Sequence, residues 1–330
     1  MTSDPDFALL NNYQRGFPLV SEPFRVLAAE LGEDEPRILE RLARLQERGA
    51  ISRVGAVFRP GAVGCGALAA MAVPPPLLED VARRLSAHAE VNHNYEREHG
   101  YNLWFVATAP DRARLARLLA VIAGEAGFPV LGLPLVEEYH IDLGFDLGTG
   151  QREVQATSRR PDPVGIDAAG RRLVAALEQG LPLVTRPFRA LAQAAQLGED
   201  EAIARIAAWQ QQGVIRRFGI IVRHRELGYR ANAMAVWDVP DEHCAALGAR
   251  LAREEGVNLC YRRERALPDW RYNLYCMVHG RDRAQVEGRI RDIGVGTGLD
   301  PYPAAVLFSL RCFKQNGARY APAASRALAA

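Results

Sequence analysis

Apolar residues recur at helical spacing at the start of the chain, change to strand spacing, and then repeat that whole succession. Residues 6–12 predict a first helix that ends near Gly16. Phe24, Leu27 and Leu31 fall on one helical face, with Ser21 as N-cap, Pro23 just inside and Gly32 as the stop. Glu33-Asp34-Glu35-Pro36 opens the next helix. Ile38, Leu42 and Leu45 face inward and Gly49 ends it. Residues 51–58 alternate as a strand, which reads as a wing. The remainder of this half predicts strand–helix–strand–strand–helix–strand at about 67–73, 77–88, 91–95, 101–108, 111–124 and 130–141. In residues 91–95, Val91 and His93 alternate onto one face.

The second half carries the same anchors in the same order. Pro18-Leu-Val-Ser-Glu-Pro-Phe-Arg25 matches Pro182-Leu-Val-Thr-Arg-Pro-Phe-Arg189, and Gly32-Glu-Asp-Glu35 matches Gly198-Glu-Asp-Glu201. Gly49 to Gly55 matches Gly213 to Gly219. Val91-Asn92 and Tyr101-Asn-Leu103 match Val257-Asn258 and Tyr272-Asn-Leu274. Here Thr185 caps, Gly198 breaks, Ile203, Ile206 and Trp209 face inward, and Gly213 stops. Strands and helices follow at about 231–236, 241–254, 257–262, 271–278, 282–293 and 304–313. A period of half the chain means duplicated domains rather than a solenoid. The fold class is α+β: two tandem copies of a winged helix-turn-helix followed by a ferredoxin-like (βαββαβ) domain. The expected bounds are 1–60 and 61–147 for half one, a linker at 148–164, 165–224 and 225–316 for half two, and a frayed tail at 317–330.

Composition narrows the class without naming it. A hydrophobic fraction of 48% is that of a globular protein, and a net charge of +2 carries no global nucleic-acid signature. The opening Met-Thr-Ser-Asp-Pro-Asp has neither basic region nor apolar core, so no signal peptide is expected and the expected compartment is the cytoplasm. No apolar run is long enough to span a bilayer, so no membrane is expected as a partner. The five cysteines, Cys65, Cys244, Cys260, Cys276 and Cys312, form no Cys-x-x-Cys pair, so neither a zinc knuckle nor an iron–sulfur cluster is expected.

A winged helix-turn-helix followed by a ferredoxin-like domain resembles the Lrp/AsnC regulators over nearly all of both halves. Within that superfamily, His93-Asn-Tyr95 with Tyr101-Asn-Leu-Trp-Phe105, and Cys260-Tyr-Arg-Arg263 with Tyr272 to Gly280, resemble the siroheme decarboxylase family. The arrangement is similar to its fused two-subunit form in the haem d1 branch. The resemblance implies loss of carbon dioxide from the C12 and C18 acetates of siroheme, giving 12,18-didecarboxysiroheme for haem d1 or, alternatively, haem biosynthesis. It implies siroheme and related iron tetrapyrroles as partners, and no cofactor beyond the iron of the substrate. It also implies a pseudo-dimer of the two halves, with a homo-oligomer left open. The rival reading is a ligand-responsive, DNA-binding regulator; a third is a haem-binding sensor or carrier.

The candidate chemistry sits in the two duplicated hairpins. Decarboxylating a pyrrole acetate needs a proton donor, and imidazole has an ordinary pKa of about 6.5. His93 and His279 are therefore the candidate general acids, one of which contacts the iron in a variant of the same reading; packing and surface roles are the plain alternatives. His93 aligns with Leu259 and His279 with Thr108, so each half keeps one histidine of a complementary pair, in one composite site or two. Arg97, Arg262 and Arg263 are candidates for carboxylate recognition, and Tyr95, Tyr101 and Tyr272 for stacking on the macrocycle. Lys314 is a weaker substrate-binding candidate, and His140 holds its place in half one. His88, His224 and His243 read as surface residues. The acidic turns at Glu33–Glu35 and Glu199–Glu201 would repel a polyanion, so no DNA partner is expected.

Overall fold

The computed structural model describes residues 5–141, 165–222 and 231–321; the expected linker at 148–164, His224 and the tail beyond Ala321 lie outside them. In chain order the first half comprises α1 (Pro5–Asn12), α2 (Pro23–Leu31), α3 (Glu35–Glu47), β1 (Ile51–Phe58), β2 (Cys65–Met71), α4 (Pro75–Ala87), β3 (Val91–Arg97), β4 (Leu103–Ala109), α5 (Arg112–Ala126) and β5 (Leu131–Ile141). The second half comprises α6 (Ala168–Gln179), α7 (Pro187–Ala195), α8 (Glu199–Gln211), β6 (Ile215–Val222), β7 (Ala231–Trp237), α9 (Asp241–Leu251), β8 (Val257–Arg263), β9 (Leu274–Gly280), α10 (Arg283–Thr297) and β10 (Ala304–Gln315). No described helix is long and apolar enough to cross a membrane.

The helical segments of the two halves share one core. Phe24, Leu27, Ile38, Leu42 and Leu45 meet Leu173, Phe188, Ile206 and Phe218 there, all essentially inaccessible to water. Each such side chain contributes about 1.5–3 kcal/mol on burial. Among the described residues the strand read as a wing has no hairpin partner of its own: β1 pairs antiparallel with β6, Gly55 opposite Gly219. Two caps differ from expectation. Glu22 and Arg186 occupy the N-cap positions of α2 and α7, without a capping hydrogen bond from their side chains, in place of Ser21 and Thr185. Gly32 caps α2 at φ 68°, and the corresponding left-handed residue of α7 is Gln196, at φ 56°. The matching Gly-Glu-Asp-Glu strings are therefore two residues out of structural register. Gly198 takes the N-cap place that Asp34 holds in α3, where the Asp34 carboxylate accepts from the Arg37 amide at 2.9 Å.

The ferredoxin-like units close on each other. Their strands form one barrel in the order β10–β3–β4–β2–β5–β8–β9–β7, with β7 returning to β10. The last strand of each half makes the closure. β5 pairs with β2 through Leu131–Pro134 and then with β8 through Leu135–Ile141. β10 pairs with β7 through Ala304–Phe308 and then with β3 through Ser309–Gln315. Helices α4 and α5 cover the outer face of one half over Leu103, Phe105 and Ala107; α9 and α10 cover the other over Leu274, Cys276 and Val278. The tail does not fray at Gly317. Thr108 Oγ1 donates to the Arg319 carbonyl at 2.6 Å, and the buried Glu178 carboxylate accepts from the amides of Tyr320 and Ala321 at 2.5 and 2.9 Å.

Candidate functional site

A bulge decides what points into the barrel. The register of β3 against β4 shifts between Val91 and His93, so Val91 packs under the helices while His93 turns inward. The expected shared face of Val91 and His93 is thereby corrected. Asn94 confirms the parity from the other side: its amide donates to the Ala82 carbonyl of α4 at 2.9 Å. His93, Tyr95 and Arg97 thus form an inward line, His93 and Tyr95 stacked at 6.2 Å between ring centroids. β8 has the same bulge between Val257 and Leu259, and its inward line is Leu259, Tyr261 and Arg263. On β9, Tyr275 and Met277 face inward, and alternation places His279 with them.

The inward side chains keep accessible surface that their outward neighbours lack. His93, Tyr95, Tyr261, Arg263, Met277 and His279 are half-buried, whereas Val91, Asn94, Cys260, Cys276 and Val278 are buried. On the inward lines of β3 and β8, His93, Tyr261 and Arg263 direct their remaining surface toward the barrel interior. Burial pulls His93 down from 6.5 to about 4, so it is a neutral imidazole at neutral pH. Burial pushes the Tyr261 phenol up to about 12 against the opposing pull of Arg263 and Arg216.

Two guanidinium groups lie in this interior at equivalent positions. Arg97 Nη1 donates to the Leu307 carbonyl of β10 at 3.0 Å, and Arg263 Nη1 to the Leu133 carbonyl of β5 at 3.0 Å. Arg97 also approaches the Met277 sulfur of the other half at 3.8 Å and lies 5.7 Å from the Tyr95 ring. Arg263 lies 5.2 Å from the Tyr261 ring and 5.9 Å from Tyr275. Burial lowers Arg97 to about 10 and lowers Arg263 as well, and a guanidinium group keeps its charge in proteins. Among the described residues neither has a carboxylate partner, and the Arg263 Nε makes no hydrogen bond. A buried charge without a counter-charge is costly, which marks the interior as a place for an anion.

The other candidates scatter. Tyr101 and Tyr272 sit at the hairpin tips, where Trp270 packs between them and Trp104, its centroid 6.0, 5.0 and 5.0 Å from theirs. Residues 264–273 form a longer connection than 98–102, and Trp270 comes from that extra length. Arg262 points outward and pairs with Asp241 of α9 at 3.0 Å, beside Arg265 and Arg271, which pair with Asp238. Lys314 points outward too, donating to the Ser86 and His88 carbonyls at 2.8 and 2.7 Å. His88 meets Glu125 of α5, and His243 of α9 meets Tyr302 in the connection before β10. Sequence reasoning passed over Tyr261, Tyr275 and Met277; strand parity counted from the bulge would have found them.

Residues 62–140 and 226–314 match the AsnC-like ligand binding domain, and residues 6–51 and 170–216 match the siroheme decarboxylase NirDL-like HTH domain. A siroheme decarboxylase NirDL subunit of Paracoccus denitrificans (strain Pd 1222) is 43% identical over 323 residues, covering 98% of this chain and 99% of that one. The crystal structure of the siroheme decarboxylase NirDL superposes with a TM-score of 0.71 at 28% identity, over 98% of this chain and 96% of that one. The crystal structure of the siroheme decarboxylase NirDL in co-complex with an iron-uroporphyrin III analogue gives 0.68 at 28% identity, over 96% and 93%.

Proposed function

This chain belongs to the fused, NirDL-type siroheme decarboxylases of the Lrp/AsnC-like family, and from that premise we propose how it acts. It removes carbon dioxide from the C12 and C18 acetates of siroheme and gives 12,18-didecarboxysiroheme for haem d1 formation. The observation that carries this reading is the pair of inward-facing guanidinium groups, Arg97 and Arg263, with no carboxylate among their described contacts. A polycarboxylate tetrapyrrole supplies the missing anions, and guanidinium binds carboxylate bidentately. Tyr95 and Tyr261 offer ring faces beside those charges.

Each decarboxylation breaks the bond between an acetate methylene and its carboxylate. Carbon dioxide leaves, the electron pair stays on the methylene carbon in conjugation with the ring, and a proton converts it to methyl. His93 and His279 are the proposed donors. His93 is neutral at neutral pH, because burial disfavours its cation. A substrate carboxylate placed beside it favours the imidazolium form, so binding itself charges the donor. Tyr101 and Tyr272 serve the site from the hairpin tips, through their contacts with Trp270. Arg262 and Lys314 hold helices α9 and α4 instead of substrate.

The test is an anaerobic single-turnover reaction of the purified chain with siroheme, followed by mass analysis of the pigment. The expected product has lost two carboxyl groups. Tightly bound but unaltered siroheme would overturn the reading in favour of a sensor or carrier.

A further inference from the structure

His279 is fixed by a side chain that takes no part in the chemistry above. Its Nδ1 lies 2.8 Å from the Asn258 Oδ1. An amide oxygen only accepts, so Nδ1 carries the hydrogen and donates it. That assigns the other nitrogen, Nε2, as the one that gains and gives up a proton. Asn258 sits in the β8 bulge between Val257 and Leu259, which turns the inward line of the strand. The equivalent bulge of half one holds Asn92, whose amide donates to Thr108 Oγ1 at 3.0 Å. The two halves therefore keep the same asparagine in the same irregularity, and they differ in what it grips: a hydroxyl in one, an imidazole in the other.

We propose that Asn258 is a positioning residue for decarboxylation: its carbonyl oxygen holds His279 in the Nδ1–H form, so that Nε2 is the nitrogen through which the proton passes to the substrate methylene. This rests on the reading of His279 as a general acid. An acceptor at Nδ1 also stabilises the proton-bearing form of the ring. A carboxylate there stabilises it more, by charge as well as by hydrogen bonding. Asn258→Asp should therefore keep turnover and move the alkaline limb of the kcat profile to higher pH, by roughly one unit. Asn258→Ala should move that limb to lower pH and reduce kcat about tenfold or more, with KM little changed.

Two further measurements separate the possible failures. Long-range proton–nitrogen spectra of labelled imidazole should report His279 as the Nδ1–H tautomer in the unaltered chain, and a loss of that preference in Asn258→Ala. Asn92→Ala serves as the control, and should lower stability while leaving the pH profile in place. If His279→Ala turns over normally, the general-acid reading itself fails. If His279→Ala is inactive while both Asn258 variants keep the alkaline limb and the tautomer unchanged, only the positioning role fails, and Asn258 is a clamp of the fold like Asn92.

Discussion

Burial sets the charge of His93 before any substrate arrives. The folded chain protonates it only near pH 4, whereas the unfolded chain does so near 6.5. The folded pKa is the lower one, so the neutral ring favours folding above pH 6.5, and that contribution fades as pH falls towards 4. In urea melts without added siroheme, the protein should lose roughly 2–3 kcal/mol between pH 7 and 4.5 from this residue. His93→Leu, the residue that Leu259 already supplies in the other half, should flatten that dependence. Neighbouring arginines make a second test. Arg263→Ala should weaken siroheme binding by tenfold or more in a titration, while Arg262→Ala should leave affinity close to normal and chiefly loosen α9. Both residues were legible as a basic cluster on opposite faces of one strand. Which of them points inward was not, because the bulge after Val257 breaks the count of alternating positions and only the pairing with β9 reveals it.

At the level of elements, the duplication was readable where the backbone itself demands a residue type. Gly49 and Gly213 end their helices at φ 78° and 70°. Asn102 and Asn273 each accept from and donate to a valine backbone, Val73 and Val239. The acidic strings misled because they repeat by composition and not by position, as Gln196 in the place of Gly32 makes plain. Their acids are also engaged inside the helical unit: Glu33 with Arg41, and Glu199 with Arg186 at 2.5 Å. Mobility-shift assays should therefore find no salt-sensitive, sequence-selective binding to duplex DNA. The docked tail was not legible, since its partners come from far along the chain. Truncation after Gly317 removes the buried Tyr320 and the amides that bind Glu178, and should lower Tm by roughly 5 °C. An unchanged Tm would return the segment to a frayed end.

Across the whole molecule, neither half owns a finished barrel. Separately produced residues 1–147 and 165–330 should combine one to one by light scattering, and neither should give the closed barrel alone. Duplication was visible in the sequence, but the exchange of β5 and β10 was not, because each reads as one uninterrupted strand whose partner changes midway. That exchange has a consequence for supply. Two loose subunits must find each other by collision, and their barrel opens on dilution. Carried on one chain, the halves meet at an effective concentration on the order of millimolar. Stoichiometry is then fixed by translation, and a barrel of two like halves, two with His93 or two with His279, cannot arise within a single chain. Specific activity should stay constant down to nanomolar enzyme, where the divided pair falls silent.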